Sequence, residues 1–172
     1  HIQFRDDDEN LYWEELLSRE GFSDIYSNVY HLNPPTAIKK VGKIIPSLVQ
    51  THNKEHRHHH LKTRDLNLKG DAINSREKLF FNSDMILSKA MISKNMDYFY
   101  RNGHHDECLF IHEGSGKLLT NFGTLELSPG DYAIIPRGVI WQIDVKEKLE
   151  VLIIETNGPI KNIYRRKMNQ QK

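Results

Sequence analysis

The sequence predicts a mainly β protein, an antiparallel β-barrel or β-sandwich preceded by an N-terminal extension of strands and loops. Short segments rich in β-branched and aromatic residues recur in the second half of the chain at intervals of ~8–12 residues, as in sandwiches and barrels. Nearly every segment is followed by glycine, proline or asparagine, which favour tight turns. The sequence shows no internal repeat and no long amphipathic helical pattern, which argues against a helical domain.

The strands expected in the second half follow one another with short turns between them. They are Tyr98–Tyr100, Cys108–Ile111, Leu118–Leu119, Leu125–Leu127, Tyr132–Ile135, Val139–Val145 and Val151–Ile154. Further strands are expected within Leu79–Met91. Gly123, Gly130 and Gly138 stand in the turns, where glycine supplies the positive φ that other residues rarely adopt.

The first 75 residues give a weaker pattern. Leu11–Leu17 is compatible with either a short helix or a strand. A later apolar stretch runs into Pro34 and Pro35, which break regular structure. A strand is expected within Ile38–Ile45, and the polar segment Asp65–Asn74 is expected to form a loop.

The charge balance excludes several classes of partner. The chain has 172 residues, with 24 Lys and Arg against 23 Asp and Glu, and a formal net charge of +1. Because it has neither a basic patch nor a strong excess of charge, no nucleic acid and no membrane is expected as a partner. No apolar run approaches the ~18 residues that a membrane-spanning helix needs.

The single cysteine indicates the cellular compartment, and the first residue indicates the extent of the chain. A single cysteine, Cys108, permits no internal disulfide and no thiolate zinc cluster, so a reducing, cytoplasmic location is expected. Its apolar neighbours indicate a buried residue that acts as a small hydrophobic side chain. The chain opens on His1 without a charged and apolar leader, so we expect it to be part of a longer protein.

Two glycine-containing stretches in the predicted barrel match the sequence pattern of the cupin barrels, which have the jelly-roll fold. Gly130–Gly138 has the second cupin spacing, in which a proline and a glycine close the stretch, and Glu107–Gly116 resembles the end of the first. In active cupins these stretches bring three histidines and one glutamate to a metal ion inside the barrel. Alternate residues of a strand point to one side, so a His-x-His pair reaches the ion together.

The histidines of that pattern are absent from this sequence. The position of the third histidine holds Trp141. The histidine pair before Glu107 falls on one of two pairs of positions, neither of which contains histidine: Arg101 with Gly103, or Tyr100 with Asn102. One carboxylate does not hold catalytic iron or manganese alone. We therefore expect a barrel without a metal, its interior filled by Trp141.

The remaining histidines give weaker functional signals. In the histidine-rich segment 56–60, His58 and His60 share one side if the chain is extended, but two ligands need a third from elsewhere. The alternative interpretation of this segment is a polar surface or a subunit contact. His104 and His105 are adjacent, so on a strand they would point to opposite faces.

Short motifs along nearly the whole chain occur in an order shared with one enzyme family. The longer motifs are Met96–Gly103, Asp106–Gly116, Phe122–Gly123 and Gly130–Gly138. The shorter ones are Gln3–Arg5, Glu14–Leu16, Gly21–Ser23, Tyr30–Thr36, His58–Thr63 and Asn82–Asp84. In this order they resemble the N-terminal half of bacterial homogentisate 1,2-dioxygenases.

The resemblance implies a two-part, β-rich enzyme that cleaves the ring of homogentisate with O2 and non-haem Fe(II), forming maleylacetoacetate in tyrosine and phenylalanine catabolism. It also implies a homo-oligomer, a trimer or a hexamer. The family holds its iron with two histidines and one carboxylate in the second half of its chain. No catalytic, cofactor-binding or metal-binding residue is therefore expected in this chain, and this segment alone is expected to be inactive.

Three regions are expected along the chain. Residues 1–75 are the N-terminal extension of short strands and loops, which packs on the barrel. Residues 76–160 are a degenerate cupin barrel, and residues 161–172 are a basic polar tail or a linker to a second half.

Three functions compete at this point. The first is a structural and oligomerising role within a homogentisate dioxygenase-like enzyme. The second is a stand-alone degenerate cupin that binds a small molecule or a protein without catalysis. The third is an active single cupin whose metal ligands are His58, His60 and Glu107.

Overall fold

The computed structural model describes residues 2–44 and 58–161, which are built almost entirely from β-strands. The strands in these ranges are β1 (Trp13–Glu20), β2 (Ser23–His31), β3 (Glu77–Phe81), β4 (Met85–Ile92), β5 (Tyr100–Arg101), β6 (Asp106–Thr120), β7 (Gly123–Leu127), β8 (Tyr132–Ile135) and β9 (Ile140–Thr156). Their helical content is one 3-10 turn, Thr63–Asp65. Within these ranges, no helix has the length and apolar character needed to cross a membrane. The predicted all-β class is confirmed.

Residues 1–51 form the first of two compact units, and its described part contains one β-hairpin. β1 and β2 pair antiparallel, with Trp13 opposite His31 at the open end. Between them Gly21 adopts a φ of 63°, which closes a tight turn. The sequence left Leu11–Leu17 compatible with a helix or a strand. Most of this segment lies in β1, because β2 folds back and pairs with it.

The strand predicted within Ile38–Ile45 is wrong for residues 38–44, which form no strand. Ile38 and Ile44 are 80% and 94% exposed. A β-branched segment becomes a strand only where a neighbouring strand accepts its hydrogen bonds, and no described residue does so here. Ile45 lies outside the described residues.

Residues 52–172 form the second unit, whose described part is an antiparallel sheet of seven strands. The strand order is β3-β4-β9-β6-β7, while β5 pairs with β9 and β8 pairs with β6. β6 and β9 pair first over Asp106–Ile111 with Val151–Thr156, and then over Gly116–Thr120 with Trp141–Val145. The first stretch carries β4 and β8, and the second carries β5 and β7, so each long strand belongs to two layers.

Two glycines let β6 bend between the layers. A Cβ at Gly114, where φ is +88°, would lie 2.1 Å from the carbonyl oxygen of Lys148. A Cβ at Gly116 would lie 2.6 Å from the carbonyl oxygen of Asp144. The register with β9 shifts between Ile111 and Glu113 and again between Gly114 and Gly116. The sequence predicts two separate strands on either side of these glycines, and this prediction is wrong. The glycines lie at a bend within one strand, where the backbones of β6 and β9 approach closely and no turn forms.

The core lies between the two layers. Alternate residues of β6 and β9 point inward and are at most 1% exposed, among them Leu109, Ile111, Leu118, Trp141, Ile143, Leu149, Val151 and Ile153. The turn glycines are confirmed, since Gly123, Gly130 and Gly138 have φ values of 127°, 92° and 89°. The strands expected within Leu79–Met91 are confirmed as β3 and β4.

The second unit begins well before its first strand. Its strands extend from Glu77 to Thr156, and residues 58–75 belong to the same compact unit. The region boundaries at residues 75 and 160, and the packing of the extension on the barrel, stay predictions. The expected tail lies outside the described residues from residue 162 onward.

Asp71 organises the turn that leads into β3. Its carboxylate accepts hydrogen bonds from the backbone amides of Ile73 at 2.9 Å and Asn74 at 2.8 Å, and from the Tyr98 hydroxyl at 3.1 Å. Burial opposes the charge of this carboxylate, but the hydrogen bonds outweigh burial and lower the pKa of Asp71. Burial, followed by the hydrogen bond to Asp71, raises the pKa of Tyr98 to about 12.

Tyr98 is expected to lose its proton near pH 12 rather than at the ordinary pKa of 10.0. Because the folded pKa is the higher one, its contribution to the free energy of unfolding is complete below pH 10 and is lost as the pH rises toward 12. The tyrosinate absorbance of the wild type minus that of Tyr98→Phe isolates this group among seven tyrosines. Asp71→Asn should lower the pKa of Tyr98. A wild-type difference titration centred near pH 10 would contradict the hydrogen bond.

Candidate functional site

Six polar and aromatic residues meet inside the barrel and form a group that we call the interior ion cluster. Its members are Arg76, Tyr100, Asn102, Glu107, Trp141 and Glu155. Glu107 and Trp141 are 0% exposed. Charged side chains are rarely buried unless they are paired. The pairing of the charged side chains therefore determines whether this cluster could hold a metal ion.

Glu107 lies at the centre of the cluster. On β6 it lies two residues before Leu109 and four before Ile111, on the same inward side, which places the carboxylate in the core. Oε1 accepts a hydrogen bond from Nη1 of Arg76 at 2.7 Å, and Oε2 accepts one from the indole Nε1 of Trp141 at 3.0 Å. Since Glu107 and Trp141 lie in different layers, this second hydrogen bond joins the two layers across the core.

Glu155 is the second carboxylate and lies directly opposite Glu107 in the β6–β9 ladder. Two like charges in opposite positions destabilise a sheet unless a cation lies between them. Nη1 of Arg76 lies 3.7 Å from Oε1 of Glu155, and the side-chain amide of Asn102 donates to the same oxygen at 3.0 Å. Arg76 therefore lies within ion-pair distance of both carboxylates and is shared between them.

Arg76 is the cation of the cluster, and its side chain is only 10% exposed. Its Nε donates to the backbone oxygen of Ala72 at 2.9 Å. Its guanidinium carbon lies 5.8 Å from the ring centres of both Tyr100 and Trp141, within range of a cation–π contact. Burial, followed by the charge of Glu107, raises the pKa of Tyr100, so its hydroxyl stays neutral.

The donor set of the interior does not fit a metal ion. One carboxylate oxygen of Glu107 already accepts a hydrogen bond from the Arg76 guanidinium, and the other accepts one from the Trp141 indole. Of the two pairs of positions considered for the histidine pair, Tyr100 with Asn102 lies in this cluster, and neither these residues nor Trp141 supplies an imidazole ligand. In the ranges that the structure describes, no three His, Cys, Asp or Glu side chains come together as metal ligands.

The histidines that the sequence singles out lie elsewhere. His58 and His60 are exposed and outside any strand, so the structure does not bring them to the buried Glu107, and the single-cupin metal site is not assembled. His56 lies outside the described residues. His104 and His105 lie in a loop and not on a strand, because the side-chain oxygen of Asn102 accepts both of their backbone amides at 3.0 Å.

Sequence reasoning found part of the cluster. The burial predicted for Trp141 is confirmed. The burial predicted for Cys108 is also confirmed, and burial raises the pKa of its thiol, which disfavours the reactive thiolate. Arg76 and Glu155 were missed. Glu155 had a signal, since it continues the inward alternation of Val151 and Ile153.

The fold and the interior together define a cupin-type domain. The cupin domain of Schizosaccharomyces pombe Cnp3 superposes with a TM-score of 0.50 at 16% identity, over 67% of this chain and 83% of that one. The predicted cupin-like barrel with strands before it is confirmed.

The chain belongs to the family of homogentisate 1,2-dioxygenase N-terminal domains, whose sequence model matches residues 44–165. It is also 37% identical over 150 residues to SSO1533 of Saccharolobus solfataricus, which is named as a candidate dioxygenase. That match covers 86% of this chain and 39% of the relative, so the chain spans about two-fifths of the relative's length. The resemblance stated from the motifs is confirmed, and the chain is a dioxygenase-like cupin domain.

Proposed function

We propose that this chain is the non-metal, N-terminal part of an Fe(II)-dependent homogentisate 1,2-dioxygenase. The complete enzyme would cleave the ring of homogentisate with O2 to give maleylacetoacetate, in tyrosine and phenylalanine catabolism. Its iron ligands would lie in a second part, and this domain would support that part and the homo-oligomer, a trimer or a hexamer. The family match and the free Cys108, which suits a reducing cytoplasm, support this proposal.

The main structural support for the proposal is the ion pair between the Arg76 guanidinium and the Glu107 carboxylate. Fe(II) dioxygenases of the facial-triad type need two histidines and a carboxylate with open positions beside them. Here a permanently charged side chain lies 2.7 Å from the carboxylate and balances it. On this proposal the interior of this barrel has a structural role, and ring cleavage takes place in the second part.

The proposal predicts that this chain forms no maleylacetoacetate from homogentisate when supplied with Fe(II) and ascorbate. A family member that carries both parts should form product in the same assay. Elemental analysis after dialysis should find far less than one iron per chain. Product or one tightly held iron in the 172-residue chain would place the active site in this part and overturn the proposal. A two-part member that leaves homogentisate intact would overturn the substrate assignment.

A further inference from the structure

The chain is held against the barrel after it leaves the last strand. β9 ends at Thr156, and we call residues 157–161, which follow it, the exit segment. The backbone amide of Asn157 donates to the carbonyl oxygen of Asp84 at 3.0 Å, and its side-chain amide donates to the carbonyl oxygen of Ser83 at 2.6 Å. Both acceptors lie in the turn between β3 and β4. The start of the exit segment is therefore bound to this turn.

Asp106 binds the exit segment further along. It is the first residue of β6, lies opposite Thr156 in the β6–β9 ladder and is 2% exposed. Its Oδ2 accepts a hydrogen bond from the backbone amide of Ile160 at 3.1 Å. Residues beyond the last strand of a domain are usually poorly ordered unless hydrogen bonds or packing hold them. This buried carboxylate therefore fixes the path of the chain beyond the barrel.

The same carboxylate binds the loop between β8 and β9. Its Oδ1 accepts a hydrogen bond from the backbone amide of Arg137 at 3.0 Å. The next residue, Gly138, donates its amide to the carbonyl oxygen of Asn102 at 2.9 Å. The side-chain amide of Asn102 in turn donates to Glu155 of the interior ion cluster. Hydrogen bonds to Asn102 and Asp106 therefore connect the exit segment, this loop and the interior of the barrel.

A fixed exit path matters when a second domain follows on the same chain. Domains of one polypeptide move relative to one another by default, unless a large apolar interface holds them. A linker that is free from its first residue samples many directions, whereas a linker whose first residues are bound starts in one direction. The matching family model describes an N-terminal domain, so on the proposed function the second part follows β9.

We propose that Asp106 is a positioning residue, which fixes the direction in which the chain leaves the barrel and thereby restricts where the second part of two-part family members lies. This inference rests on the proposed function and adds a residue that determines the placement of the two parts. The hydrogen bond to Arg137 stabilises the barrel itself. The hydrogen bond to Ile160 acts on the chain beyond the last strand.

Removal of the Ile160 amide tests this role without changing the buried carboxylate. Ile160→Pro deletes the hydrogen-bond donor, and it lies beyond the end of β9, so the sheet keeps its own hydrogen bonds. Ile160→Val is the matched control, because it keeps both the amide and a β-branched side chain. If the second variant below fails to fold, this pair still decides the outcome.

Asp106→Asn is the second variant. An amide side chain has one acceptor oxygen, so it cannot accept from the backbone amides of both Arg137 and Ile160 as the carboxylate does. Asp131→Asn is its control, because the Asp131 carboxylate also accepts a loop amide, that of Ser128 at 2.8 Å, in the turn between β7 and β8.

The width of the distance distribution between two spin labels measures the freedom of the exit segment. The labels are attached to Lys161→Cys and Phe122→Cys, both exposed, in a Cys108→Ala background that leaves no other thiol. We expect Ile160→Pro and Asp106→Asn to broaden the distribution at least ~2-fold, because a released segment samples more directions. The two control variants should leave the width unchanged, and circular dichroism verifies that each variant is folded.

The same measurement in a two-part family member with aspartate at the matching position tests the placement of the second part. One label replaces the residue that matches Phe122, and the other lies on the second part. The variants that match Ile160→Pro and Asp106→Asn should broaden this distribution, whereas the variant that matches Ile160→Val should not.

Two results would overturn the positioning role. An unchanged width in this chain would show that Asp106 does not hold the exit segment. An unchanged width between the two parts would show that the exit segment does not place the second part. The spin-label measurement needs neither iron nor substrate, so failure to cleave homogentisate would count against the proposed function and leave this measurement unaffected.

Discussion

Arg76→Met is expected to lower the free energy of unfolding by about 3–5 kcal/mol, because it leaves two buried carboxylates without their cation. Glu107 and Glu155 lie opposite one another in the β6–β9 ladder, and Arg76 contacts both. Methionine keeps most of the side-chain volume, so the loss reports charge and not a cavity. Denaturant titration of wild type and variant measures it.

The cause of that loss is tested by removing the charges that Arg76 balances. Arg76→Met combined with Glu107→Gln and Glu155→Gln should regain more than half of the lost stability, since neutral amides need no counter-ion. Lys148→Met is the control, because Lys148 pairs with Glu113 at 3.3 Å with its side chain 52% exposed. It should cost about 1 kcal/mol or less. An Arg76→Met variant as stable as this control would refute the role of the cation.

Trp141→Ala is expected to destabilise the domain by about 3–5 kcal/mol, as truncation of a buried aromatic residue does. Trp141 is 0% exposed, packs edge-on against Tyr100 at 5.2 Å and donates to Glu107. Trp141→Phe should cost less than Trp141→Ala because it keeps most of the ring volume and loses the hydrogen bond. Denaturant titration followed by circular dichroism compares them.

The control for this series is Trp13, the second tryptophan of the chain, which is 53% exposed on β1. Trp13→Ala should change the unfolding of the barrel by less than about 1 kcal/mol, as surface substitutions do. A loss below about 1 kcal/mol for Trp141→Ala would show that this indole does not join the layers. Trp141→His should create no iron site, because neither pair of positions before Glu107 contains histidine.

Most of the strands were predictable because glycines mark the turns between them. Gly123, Gly130 and Gly138 adopt positive φ values that favour glycine, so their positions bounded the strands correctly. Gly114 and Gly116 look the same in sequence but serve a close approach between β6 and β9. That approach is a property of two distant segments, so the single bent strand could not be inferred from local sequence.

The candidate site was predictable only where a residue sits on a regular strand. Glu107 and Trp141 lie two positions from the apolar residues Leu109 and Ile143 on the same side of their strands, which places them inside. Arg76 lies before β3 in an irregular segment and reaches a carboxylate 31 residues away in sequence. Nothing local to Arg76 indicates that its side chain points inward, so the cation of the cluster required the tertiary structure.

The two long strands also determine how the barrel opens. β6 and β9 are shared by both layers, so neither layer can separate from the other without breaking the ladder that holds its own strands. Backbone amides of the two layers are therefore expected to exchange their hydrogens with solvent in one shared opening event, and not layer by layer. The bend at Gly114 is therefore expected to join the two layers into one cooperative unit.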